Sequence, residues 1–274
     1  MIFFVDIDGT IRDYAEGIMP SAVAALEAAK KNGHTLILCT GRTIGMIPYD
    51  VPLVLFDGMI AGGGCYVSYH DRVLRDEHIP DATVKRYRDY FDSIDAPYGL
   101  ESIKGIFMNE KYSPIVTAIL LSGEDPDTSE KAGLRTERIR ADKTLDEFDS
   151  LGIYATKISF CLLPGDFAKF SVPDEDGLTL IHFTDDFDEY EHCELVRSDC
   201  DKGAALKFLC ESAGLEGKTV AIGDSMNDVS VMKAADIGVC MGNATEEVKG
   251  FADMVTDDVK EDGFYNALVR LQAI

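Results

Sequence analysis

The sequence contains no apolar run approaching the roughly 20 residues that a membrane-crossing helix needs. Its first residues, Met1-Ile-Phe-Phe-Val-Asp6, carry no basic leader and soon meet acids, so they do not read as a secretory signal. The seven cysteines (Cys39, Cys65, Cys161, Cys193, Cys200, Cys210 and Cys240) form no C-x-x-C pair. That argues against a zinc ribbon or a disulfide framework and fits reduced thiols in a cytoplasm. Basic residues are scarce: 26 Lys and Arg stand against 49 Asp and Glu, a formal charge of −23. Such an average field repels nucleic acid and anionic membrane surfaces, so neither is an expected partner. The acidity serves solubility, or some of it converges on a cation; charge alone does not separate the two. No internal repeat or low-complexity tract is visible, and His182 and His192 lack metal-ligand spacing.

What is present is the composition of a folded chain, 46% hydrophobic and 27% charged over 274 residues. That length suits one large domain or two unequal ones. Both ends alternate strand and helix. Apolar runs over Met1–Asp6, Thr35–Thr40 and Leu53–Phe56 read as buried strands, with a helix over Pro20–Lys31 capped by Gly33. Later, Lys202–Ala213 reads as a helix closed by Gly214. Strands follow at Thr219–Ile222 and Ile237–Met241, with helices at Ser225–Ala234, Glu246–Phe251 and Phe264–Leu271. The pattern is that of an α/β parallel sheet covered by helices. The middle is richer in turn signals, with short candidate strands at Ile115–Leu121, Ile153–Leu162 and Leu178–Phe183. It reads as an α+β domain over residues 81–195, inserted between 1–80 and 196–274.

Four polar motifs fall at strand ends or at the helices after them. Asp6-Ile-Asp8-Gly9-Thr10 delivers two carboxylates at i and i+2 and a glycine that lets the backbone turn sharply. Thr40-Gly41-Arg42 offers a hydroxyl and a free amide, Lys202 opens a helix, and Gly223-Asp224-Ser-Met-Asn227-Asp228 begins another. Taken alone, each also has the bland reading of an ordinary turn, cap or solvated side chain. Together they place three or four carboxylates at one sheet edge, where they repel unless a cation is present. All-oxygen ligands suit a hard ion, magnesium foremost, and a lysine, a threonine and glycine amides beside it suit a phosphoryl group.

The ordered set resembles the haloacid dehalogenase (HAD) superfamily of phosphotransferases, specifically its Cof-like sugar-phosphatase branch. The resemblance spans nearly the full chain, and the tail Thr256–Gly263 is similar to the branch's final loop. It implies a Rossmann-like parallel-sheet core with an inserted cap that sets substrate specificity. It further implies that Asp6 is the nucleophile and Asp8 the acid and base. Thr40, Gly41, Lys202 and Asn227 would hold the phosphoryl oxygens. Asp6, Asp224 and the main-chain carbonyl of Asp8 would bind Mg2+, with Asp228 supporting them. One departure stands out, since Gly63 lies where the branch commonly carries asparagine, in a turn before a hairpin of Cys65–Tyr69 and Arg72–Leu74. Arg135, Arg138 and Arg140 in the middle domain read as a solvated face, or as a greeting for a phosphorylated substrate.

Physics favours those roles independently. An ionised aspartate approaching a phosphate dianion is opposed by about 4 kcal/mol per unit charge at 4 Å and an effective dielectric near 20. A divalent cation and a lysine cancel that penalty. The expected activity is hydrolysis of a small phosphorylated metabolite, by default a sugar phosphate, with pyridoxal phosphate and flavin mononucleotide open. A phosphosugar mutase of the same branch and a non-catalytic phosphometabolite-binding protein are the alternatives, the latter disfavoured because Asp6, Asp8, Lys202 and Asp224 are all present.

Overall fold

The computed structural model describes residues 1–115, 143–183 and 189–274. The chain divides into two compact units: Met1–Arg42, Ile47–Asp76 and Cys200–Ile274 form the first, and Thr43–Met46 with Glu77–Asp199 form the second.

The first unit is built on an eight-stranded sheet. In chain order its elements are β1 (Ile2–Val5), α1 (Pro20–Lys31), β2 (Thr35–Cys39), β3 (Gly58–Ala61), β4 (Tyr66–Tyr69) and β5 (Arg72–Asp76). They continue with α2 (Lys202–Ala213), β6 (Thr219–Gly223), α3 (Val229–Ala234), β7 (Ile237–Cys240), α4 (Glu246–Lys249), β8 (Met254–Val255) and α5 (Gly263–Arg270). The strand order is β8-β7-β6-β1-β2-β3-β4-β5. All pairings from β8 to β3 are parallel, and the β3–β4–β5 edge is antiparallel.

β1 shows why a continuous apolar run belongs at the centre. Its four residues are all buried, but they feed two different layers. Phe3 and Val5 pack with Leu26 of α1 and Phe264 and Leu268 of α5. Ile2 and Phe4 face the other way, onto Leu206 and Leu209 of α2 and Met232 of α3. Side chains alternate across a strand, so only a strand covered on both faces can be apolar throughout.

Most expected elements appear, with informative shifts. The third parallel strand is Gly58–Ala61, while Leu53–Leu55 forms a 3-10 turn after Pro52. Leu53 and Val54 are 44% and 91% exposed, and only Leu55 and Phe56 of this apolar run pack against the core. Asp57 ends it, accepting the Leu36 amide at 2.9 Å and pairing with Lys30. The helix expected over Ser225–Ala234 is a 3-10 turn, Met226–Asp228, followed by α3. α4 stops at Lys249, short of Phe251, and the strand expected from Ile153 begins at Lys157.

In the second unit, a five-stranded antiparallel sheet runs in the order Leu178–Phe183, Glu191–Arg197, Lys157–Leu162, Tyr98–Ser102, Gly105–Met108. Helices Asp81–Ser93 and Leu145–Leu151 contribute Phe91 and Phe148 to a core shared with Tyr98, Phe107 and Phe160 from the sheet. Residues 116–121 of the strand expected at Ile115–Leu121, and Arg135, Arg138 and Arg140, lie outside the described residues. None of the seven cysteines is in a disulfide. Among the described residues no helix is long and apolar enough to cross a membrane.

α2 and α3 meet closely enough that a Cβ on Gly203 would sit 2.4 Å from the Ser230 carbonyl oxygen. Backbone cannot yield as a flexible side chain does, so Gly203→Ala should cost about 1–3 kcal/mol of unfolding free energy. Denaturant unfolding measures it, and an unchanged midpoint would show that the two helices separate freely.

Candidate active site

Register brings the motifs together. Val5 lies opposite both Leu38 and Ile222, so the polar residues that follow β1, β2 and β6 emerge at one sheet edge. They are Asp6, Thr40 and Asp224. This is the carboxyl edge of the parallel strands, where ligands of open α/β sheets collect.

Lys202 enters from α2, whose first turn is capped by Asp201 accepting the Ala204 amide at 2.6 Å. The residue is 2% exposed, and its ammonium donates to Asp6 Oδ1 at 2.9 Å, Asn227 Oδ1 at 2.7 Å and Asp228 Oδ1 at 2.6 Å. An ammonium has three donors, and all three are used. Burial alone would drive its proton off, but the carboxylates of Asp228 and Asp6 outweigh that and hold Lys202 firmly charged.

Asp228 is fully buried and engaged through both oxygens. Oδ2 accepts the amides of Asp224 and Ser225, each at 3.1 Å, and the Ser225 hydroxyl at 3.2 Å. A Cβ on Gly223 would lie 2.4 Å from Asp228 Cγ, so glycine is what admits this carboxyl beneath the β6 turn.

Asp6, Asp224 and Asp228 each offer an oxygen within 4.8 Å of one another. Of these, Asp224 Oδ1 is buried with no hydrogen-bond partner, an oxygen that protein alone leaves unsatisfied. A hard cation fits that all-oxygen set. The crowding has an electrostatic signature. Burial first, then Asp228, pushes the Asp6 carboxyl well above the ordinary range, with Lys202 opposing. Burial and Asp228 likewise raise Asp224 to about 7.

Asp8 is set apart from the cluster. Arg12 Nη1 donates to its Oδ1 at 3.3 Å, and Arg42 Nε donates to Oδ2. Arg12 is itself braced by Asp50, with Nε 3.3 Å from both carboxylate oxygens. Thr40 is buried, its hydroxyl oxygen accepting the Arg42 amide at 3.1 Å. Gly41 faces Asn227, whose Nδ2 would be in ordinary contact, 3.5 Å, with a Cβ there. Thr40, Gly41, Lys202 and Asn227 thus converge on the edge where Asp6 stands.

Other candidates go elsewhere. His182 pairs with Glu191 at 2.7 Å, and His192 with the Tyr112 hydroxyl at 3.1 Å. Gly63 adopts φ 64 with open space where a Cβ would point; the crowded position is Gly64, at φ 113 with a Cβ site 2.5 Å from the Asp201 carbonyl oxygen. Three further residues join the site with no local sequence signal to mark them, Arg12, Asp50 and Asn243. Asn243 Nδ2 donates to the Gly9 carbonyl at 2.9 Å and to Asp224 Oδ2 at 3.3 Å. Only the fold brings it there.

The raised carboxyl of Asp224 sets a pH dependence. Between its ordinary value of 3.8 and about 7, the folded state holds a proton that the unfolded state has released. Stability therefore falls as pH rises through that window and levels off above it. Thermal unfolding in chelator should show this decline, and a divalent cation should raise the midpoint more at pH 8 than at pH 5. Equal cation effects at the two pH values would contradict the assignment.

Comparison with known proteins agrees with the geometry. The chain is 26% identical to pyridoxal phosphate phosphatase YbhA of Escherichia coli K12, over 95% of this chain and 94% of the other. It is 27% identical to a phosphoglycolate phosphatase of Methanothermobacter thermautotrophicus, over 97% and 96%. A solved HAD-superfamily phosphatase from Bacteroides thetaiotaomicron superposes with a TM-score of 0.76 at 25% identity, covering 100% of this chain and 95% of that one. The family model for haloacid dehalogenase-like hydrolases matches residues 3–268, and the chain belongs to that family.

Proposed function

We propose that this hydrolase is a Mg2+-dependent phosphatase that cleaves a small phosphomonoester, a sugar phosphate first among them, through an aspartyl phosphate on Asp6. The observation that carries the reading is the unpartnered Asp224 Oδ1, buried beside an Asp6 carboxyl that gives one oxygen to Lys202. Asp228 offers little to a metal, since its oxygens already take Lys202, two amides and a hydroxyl. Asp6, Asp224 and the main-chain carbonyl of Asp8 would hold magnesium. When bound it supplies the positive charge that offsets repulsion between carboxylate and phosphate.

In this reading Asp6 attacks phosphorus as the bond to the leaving oxygen breaks, and Asp8 gives that oxygen its proton. Asp8 then takes a proton from the water that cleaves the aspartyl phosphate, restoring Asp6 and releasing phosphate. Thr40, the Gly41 amide and Asn227 hold the phosphoryl oxygens as charge shifts among them, joined by Lys202 once its ammonium gives up one of its three present bonds. Arg12 and Arg42 fix the Asp8 carboxyl so that its oxygens do not swing toward the metal ligands. The inserted residues 81–195 would decide which phosphomonoester is accepted.

Asp6→Asn should reduce phosphate release by about 10^4-fold or more while the protein stays folded, because Asp228 and Asn227 still hold Lys202. The assay is release from a panel of sugar phosphates, pyridoxal phosphate and phosphoglycolate, with magnesium and with excess chelator. Substantial turnover by folded Asp6→Asn would sink the nucleophile assignment. Release that survives chelation would remove magnesium from the reading.

A further inference from the structure

Asn243 has three hydrogen bonds and connects three separate segments of the first unit. Nδ2 donates to the Gly9 carbonyl at 2.9 Å and to Asp224 Oδ2 at 3.3 Å, while Oδ1 accepts the Val259 amide at 3.0 Å. The orientation of the amide is fixed by those partners, since a carbonyl and a carboxylate accept and a backbone amide donates. Reversing it would break all three bonds.

The consequence falls on Asp224. One of its oxygens is engaged by Asn243, and the other, Oδ1, is buried and unpartnered. Gly9 presses on the same carboxyl: at φ 76, its absent Cβ would lie 2.0 Å from Asp224 Oδ2. Asn243 itself is held from behind. Gly242 donates its amide to the Asp257 carbonyl at 2.9 Å, and a Cβ on Gly242 would sit 2.6 Å from the Asp258 nitrogen. The turn from Asp257 to Val259 is tied to α5 in turn, through Asn266 Nδ2 donating to Asp257 Oδ2 at 2.8 Å and Thr256 Oγ1 to the Gly263 carbonyl at 2.8 Å.

We propose that Asn243 is a positioning residue for the cation site. It selects which oxygen of Asp224 is presented to the ion and locks the Gly9 turn, and it relies on the Val259 amide for its own orientation. This rests on the metal reading of Asp6 and Asp224 above. Partners that orient a metal ligand typically matter about 10- to 100-fold in affinity.

Mn2+, used alone as the probe, can be titrated into the metal-free full-length protein and followed by electron paramagnetic resonance. Asn243→Ala should weaken Mn2+ binding about 10- to 100-fold, with a thermal midpoint in chelator within a few degrees of the parent. A purely structural asparagine would do the reverse, lowering the midpoint and leaving affinity intact. Wild-type affinity in folded Asn243→Ala overturns the assignment. Should that variant fail to fold, Val259→Pro serves instead, because the first position of a helical turn accepts proline; it removes the donor to Oδ1 and also trims a side chain buried with Phe264 and Leu268, so its midpoint in chelator is read beside its affinity. It must weaken Mn2+ in the same direction, and unchanged affinity there overturns the proposal equally. Absence of Mn2+ binding by the parent protein would overturn the metal reading itself, a distinct outcome.

Discussion

The buried ammonium of Lys202 is the interaction on which the site depends. Three carboxylates within a few ångströms would force one another apart or capture protons, and the protein supplies one fixed positive charge to hold them. That charge cannot be withdrawn cheaply. Removing the lysine would leave Asp6 and Asp228 buried and unpaired, the situation in which a broken ion pair costs most. One ammonium does not neutralise three carboxylates, however, and burial, reinforced by the neighbouring carboxylate of Asp228, raises the proton affinities of Asp6 and Asp224. The site is completed by protons or by a cation, and Asp224 Oδ1 marks where the protein has left that choice open.

Glycine makes the crowding possible. Gly9 and Gly223 each occupy a strand-end turn where a single added carbon would collide with a carboxyl, that of Asp224 in one case and Asp228 in the other. The motif glycines therefore do two jobs. They turn the backbone, and they clear the volume in which the carboxyls approach one another.

The alternation of strand and helix was legible because the central strands are buried on both faces and read as unbroken apolar runs. Lys202–Ala213 and Pro20–Lys31 were found to the residue, each marked by a clear start and stop. The third parallel strand was misplaced because Leu53-Val54-Leu55 is equally apolar, while Gly58–Ala61 opens on a glycine and a methionine with little strand signature. The motif carboxylates, Thr40, Lys202 and Asn227 were legible because each sits at a strand end or a helix start. Arg12, Asp50 and Asn243 were not, because nothing local distinguishes them. An arginine after a threonine and an isoleucine looks solvated until Asp8 and Asp50 are brought to it. An asparagine between glycine and alanine looks like a turn residue until Gly9, more than two hundred positions earlier, lies beside it.

The same long-range character explains how a large insertion leaves the site intact. β1 pairs on one side with β2, nearby in sequence, and on the other with β6, so the site cannot exist until the last third of the chain has returned. The chain leaves the first unit after Asp76 and re-enters at Cys200, and local contacts close that gap. Gly64 packs against the backbone of Asp201, Arg75 donates to the Gly64 carbonyl at 3.4 Å, and its guanidinium lies 4.1 Å over the Phe208 ring. With exit and return fixed together, the length between them matters little, since each doubling of a loop adds only about 0.6 kcal/mol of closure entropy. Lys202 begins two residues after the return, directly beside that closure. The contact that tolerates the insertion is thus the one that delivers the ammonium to Asp6.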